Sequence, residues 1–60
     1  MGMYIVNCFR GSRWITCLYE ESKCEAIQTL ARLYDTGDYT CVNVESPNGT
    51  VVYVRKASNR

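Results

Sequence analysis

Two mostly apolar runs fill the first third of the chain, apolar residues repeat at helical spacing in the middle, and apolar and polar residues alternate over the last third. The first run, Met3 to Phe9, and the second, Trp14 to Tyr19, are rich in β-branched and aromatic residues and flank Arg10-Gly11-Ser12-Arg13. This pattern predicts a β-hairpin, with Gly11 taking positive φ at the first corner of a type II′ turn. A two-residue turn there sets Phe9 opposite Trp14, Cys8 opposite Ile15, Val6 opposite Cys17 and Ile5 opposite Leu18. One face then carries Tyr4, Val6, Cys8, Ile15, Cys17 and Tyr19. The other carries Met3, Ile5, Asn7, Phe9, Trp14, Thr16 and Leu18.

The middle of the chain reads as a helix. Ser22-Lys23-Cys24-Glu25 has capping-box spacing, and Glu20 and Glu21 place negative charge at the positive end of the helix dipole. Apolar residues recur at Ala26/Ile27, Leu30/Ala31 and Leu33/Tyr34, while Gln28, Thr29 and Arg32 fall largely off that stripe. Gly37 supplies a left-handed stop. A helix of roughly 13 to 15 residues is marginal alone and needs a sheet to pack on.

A second hairpin follows. Tyr39 to Glu45 and Thr50 to Lys56 alternate around Ser46-Pro47-Asn48-Gly49, which suits a type I turn with Gly49 as the left-handed residue after it. That turn sets Val44 opposite Val52 and Val42 opposite Val54, so four valines face the core. Cys41, Asn43, Glu45, Val51, Tyr53 and Arg55 take the other side. The order β-β-α-β-β predicts an α+β two-layer fold: a four-stranded, mainly antiparallel sheet with one helix packed on one face. Strand order 2-1-3-4 keeps every neighbouring pair antiparallel. We read residues 1–60 as a single domain, with an ordered core over 3–56 and a flexible tail over 57–60. Met1-Gly2 reads as a cloning addition ahead of a native start at Met3.

Composition narrows the function. Sixty residues bury only about 60% of the surface of the unfolded chain, so a fold this short needs disulfides, a metal or a partner. Seven Lys+Arg against six Asp+Glu give a net charge of +1, weak for a protein that neutralises phosphates. No secretion signal and no apolar run long enough for a membrane span is present, which predicts a cytoplasmic protein. The cysteine spacing C-x8-C-x6-C-x16-C lacks the close pairs that bind zinc, and there is no histidine. The register makes Cys8 and Cys17 diagonal neighbours on one face, a poor geometry for a disulfide. Cys24, in the first helical turn, is the thiol with the most reactive setting.

Enzyme activity is not expected. Without histidine there is no Ser-His or Cys-His pair, Asp35 and Asp38 flank a turn, and no glycine-rich phosphate loop occurs. No cofactor or metal is expected. The first hairpin, however, is apolar on both faces, and the helix covers only one. We therefore expect a partner-binding patch of Ile5, Phe9, Arg10, Arg13, Trp14 and Leu18, a set rich in the residue types that dominate binding hot spots, or else, if the other face is the spare one, of Tyr4, Val6, Ile15 and Tyr19. The expected function is a non-enzymatic protein-interaction module, self-associating as a homo-oligomer. The alternative is a single-stranded nucleic-acid binder using Arg10 and Arg13 with Phe9 and Trp14, with Arg55, Lys56 and Arg60 following the backbone.

The Trp-led strand Trp14-Ile15-Thr16, the helix opening Lys23-x-Glu25-Ala26 and the closing Asn48-Gly49 hairpin resemble the small domains of unknown function common in bacterial and phage genomes. The resemblance implies the same β-β-α-β-β outline and carries no site residues across. In style the chain is similar to phage proteins that block a host factor by covering it.

Overall fold

A computed structural model describes residues 2–57. The elements are β1 (Tyr4–Arg10), β2 (Arg13–Glu20), α1 (Lys23–Asp35), β3 (Cys41–Glu45) and β4 (Val51–Lys56). They form one four-stranded antiparallel sheet in the order β2-β1-β3-β4. This is the α+β fold and strand order that the pattern predicts.

The local signals act as expected. Ser22 caps α1, its Oγ accepting from the Glu25 backbone N–H at 3.1 Å. Thr36 closes the helix, its backbone N–H and hydroxyl both donating to the Leu33 carbonyl, and Gly37 follows at φ +81°. Gly11 has φ +66° while Ser12 stays negative, the sign pattern of a type II′ turn. The second turn holds Gly49 at φ +90°, with its N–H donating to the Ser46 carbonyl at 2.9 Å.

The core is small. Val6 and Cys8 of β1, Val42 and Val44 of β3, and Ala26 and Leu30 of α1 are fully buried. Tyr4, Leu33, Tyr34, Tyr39 and Val52 pack around them. The helix thus crosses the two central strands, and β2 and β4 lie at its margins. Thr29, expected off the helical stripe, is buried and donates to the Glu20 carboxylate at 2.8 Å. A threonine can turn inward there because Glu20, on the neighbouring strand, satisfies its hydroxyl.

Two corrections concern the outer strands. In β2 the register starts as expected, Arg10 opposite Arg13 and Phe9 opposite Trp14, and then shifts by one. Ile15 is left without a partner. Cys8 now faces Thr16, Asn7 faces Cys17, Val6 faces Leu18 and Ile5 faces Tyr19. In β4, Glu45 opposite Val51 matches the expected turn, but Val52 has no opposite number. Val44 then faces Tyr53, Asn43 faces Val54 and Val42 faces Arg55. Each outer strand carries a β-bulge close to its turn, and beyond it the alternation is inverted. Leu18, Thr16, Tyr53 and Arg55 therefore move to the helix side. Cys17, Tyr19 and Val54 move to the opposite side. Cys8 and Cys17 consequently lie on opposite faces, and all four cysteines are free thiols.

At the chain's end Ala57, the first residue of the expected tail, donates its N–H to the Thr40 carbonyl at 2.8 Å. Ser58 to Arg60 of that expected tail lie outside the described residues.

Candidate functional site

The sheet face opposite α1 has no covering element among the described residues. The register sets its side chains in three rows that run across the strands. Tyr19, Ile5, Glu45 and Val51 form the first. Cys17, Asn7, Asn43 and Val54 form the second. Trp14, Phe9, Cys41 and Lys56 form the third. The outer columns are the exposed ones: Trp14 is 53% exposed, Tyr19 60%, and Val51 and Val54 52% each. These four are large apolar side chains left in water on one surface.

The centre of the face is polar and internally bonded. The Trp14 indole Nε1–H donates to Asn7 Oδ1 at 3.2 Å. The Asn7 amide donates in turn to Asn43 Oδ1 at 3.1 Å and to Glu45 Oε1 at 3.3 Å. One amide thus ties three strands together and pins the indole, whose rings remain half in water. A fixed aromatic that still shows its surface loses little entropy on contact, which suits a binding anchor.

Of the six residues expected to form a patch, the structure brings three together. Ile5, Phe9 and Trp14 share the open face. Leu18 does not, because the Ile15 bulge turns it to the helix side opposite Val6. Arg10 is drawn away from the aromatics: its Nε donates to the Asp38 carbonyl at 3.0 Å and its guanidinium lies 5.9 Å from the Tyr39 ring centre. Arg13 is its cross-strand partner at the hairpin tip and is exposed. Sequence reasoning had Tyr19 only on the alternative face, and it missed Val54 and the Asn7–Asn43–Glu45 ladder. The signal for the ladder was two asparagines at central-strand positions where an apolar or β-branched residue is the usual choice.

Arg55 lies on the helix side, 5.7 Å from the Tyr34 ring centre. Lys56 alone among the described arginines and lysines falls in the three rows of the open face, and Arg60 lies outside the described residues. Beside Lys56, a shallow groove of about 340 Å3 is lined by Gly11, Thr40, Cys41, Lys56 and Ala57. Its wall is Thr40, whose hydroxyl accepts from the Gly11 N–H at 2.7 Å and whose own N–H donates to the Phe9 carbonyl at 2.9 Å.

The thiols divide by environment. Burial, and secondarily the nearby Cys17, pushes the Cys8 thiol above its ordinary value. Cys24 is exposed, with the Gln28 amide 3.7 Å from its sulfur. Among the described residues no three potential ligands from His, Cys, Asp and Glu converge on a metal position, and no helix is long and apolar enough to cross a membrane. No family model, curated protein or solved structure matches the chain.

Proposed function

We propose that this chain is a small non-enzymatic interaction module whose working surface is the open sheet face, with Trp14 as its anchor. The observation that carries this reading is the collection of Trp14, Tyr19, Val51 and Val54, each half exposed, on one uncovered face, against six fully buried apolar residues among those described. Covering them removes apolar area from water, at roughly 25 cal/mol per Å2. The module acts by occlusion, covering a site on a protein partner in the manner of phage proteins that block a host factor. A cytoplasmic setting belongs to the same proposal, since four unpaired thiols suit a compartment that keeps cysteines reduced.

Single-stranded nucleic acid fits this surface less well. Base stacking needs aromatics and cations on one side. Here the aromatics share their face with Lys56 and with the Glu45 carboxylate, while Arg10 and Arg55 are engaged on the other side.

The test is capture from a nuclease-treated lysate by immobilised wild type, Trp14→Ala and Val54→Asp, each first shown folded by far-UV circular dichroism. A protein retained at high salt by wild type and released by both substitutions is the expected result. Retention indifferent to both, or lost entirely with salt and nuclease, would refute the reading.

A further inference from the structure

We infer that the open face is occupied by a second copy of this chain, turned end for end. This rests on the reading of that face as a binding surface and names what occupies it while no partner protein is bound. The argument is one of self-complementarity. In an isologous contact residue i of one copy meets residue j of the other and j meets i, so charges at exchanged ends of a self-docking face pair only when they are opposite in sign. Glu45 lies in the first row and Lys56 in the third, at opposite ends of the face.

A two-fold axis along the middle row keeps every strand over its own counterpart and exchanges the first row with the third. Tyr19 then meets Trp14 of the second copy, and Ile5 meets Phe9. Glu45 comes beside Lys56 of the second copy, one strand over, and the pairing occurs twice. The middle row meets itself: Val54 on Val54, Asn43 on Asn43, Cys17 on Cys17. Asn43 Oδ1 accepts from Asn7, and no bond from its Nδ2 is seen among the described residues, so the amide can donate across the axis. A central polar pair of this kind fixes register between copies. The other in-plane two-fold axis, parallel to the strands, sets Glu45 against Ile5 with no cation beside it. Burying an uncompensated carboxylate counts against that arrangement.

The size of the face sets the strength. Four strands at about 4.8 Å and some six residues at about 3.3 Å give a plane of roughly 400 Å2. A standard interface buries about 800 Å2 of accessible surface per partner, so this one sits in the small, reversible class. The dimer is expected to form and dissociate reversibly between micromolar and millimolar concentration.

The experiment is sedimentation equilibrium of the full chain from micromolar to millimolar concentration, with a short bis-maleimide cross-linker read out by peptide mass spectrometry. A reversible dimer whose cross-link joins Cys17 to Cys17 is the expected result. Each of E45K and K56E alone should weaken dimerisation by at least about tenfold, and an equimolar mixture of the two should recover it, because each supplies the charge that the other lacks. Recovery on mixing cannot come from repaired folding, since neither chain is altered by mixing. A monomer at millimolar concentration overturns the inference, and the capture experiment then judges the surface by itself. A dimer linked through Cys24 or Cys41 instead, or no recovery on mixing, overturns the end-for-end geometry. So does a monomer whose Trp14 emission is quenched by a thymidine oligonucleotide.

Discussion

Replacing Asn7 by alanine tests the central ladder most directly. Asn7 uses its whole amide: the oxygen accepts from Trp14 at 3.2 Å, and the nitrogen donates to Asn43 at 3.1 Å and to Glu45 at 3.3 Å. A net hydrogen bond contributes about 0.5–1.5 kcal/mol. The lower half of that range applies here, because the face is open and the three freed groups can turn to water. The sum is about 2 kcal/mol, without the added penalty of a buried orphan. In a domain of this size, 1 kcal/mol moves Tm by about 4–8 °C, so Asn7→Ala should melt about 8–16 °C earlier. Thermal and urea unfolding followed by far-UV circular dichroism at low micromolar concentration measure the loss. Trp14 fluorescence anisotropy measures the release of the indole and should fall in the same variant. A loss under about 0.5 kcal/mol with unchanged anisotropy would show that the amide neither ties the strands nor holds the indole.

Other expectations follow from single residues. Leu30 is the largest fully buried side chain among the described residues, so Leu30→Ala should cost about 3 kcal/mol in urea titration, a third or more of the ~3–9 kcal/mol typical of this length. Ser22→Ala should cost about 1 kcal/mol in the same titration, and Ser22→Asp should restore most of it by supplying another oxygen to the Glu25 N–H. Alkylation followed by mass spectrometry should label exposed Cys24 first and buried Cys8 last. Folding raises the Cys8 thiol above its ordinary value of 9.0, so above that pH the unfolded chain binds fewer protons than the folded one. The stability this provides is intact below pH 9.0 and lost as pH rises through the folded value. The urea midpoint should fall on that alkaline side, and fall less in Cys8→Ala.

Turns and caps were legible because their chemistry is local. Gly11, Gly49, Ser22 and Gly37 each act where their residue types require, and the β2-β1-β3-β4 order follows from keeping neighbours antiparallel. Strand β3 was legible for a different reason: only its Val42/Val44 alternation is apolar enough to meet a helix, whereas β1 is apolar on both faces and its helix side was left open. The outer strands lacked that discrimination. β2 is apolar on both faces, and β4 mixes valine and tyrosine with little bias, so hydrophobicity specifies their register weakly. The extra residues, Ile15 and Val52, are ordinary strand formers with no glycine to announce a bulge. Contacts between elements accompany the shifted registers, with Glu20 meeting Thr29 and Arg55 meeting the Tyr34 ring. The candidate site inherited the same error: Leu18 was placed on it, Tyr19 was set on the alternative face and Val54 was left off.

The pairing of β1 with β3 has a kinetic consequence. Each hairpin closes locally within a few residues, but the seam between them joins Asn7 to Asn43 across 36 positions. Bringing such distant segments together costs loop-closure entropy before any contact rewards it. The hairpins are therefore expected to form in microseconds as independent units, with closure of the seam under α1 as the slow step. The molecule is in that sense an assembly of two halves that share one chain. A break at the Thr36–Gly37 junction would sever the covalent link yet leave every strand pairing of each half intact, and the halves should then find each other at a rate set by their concentration.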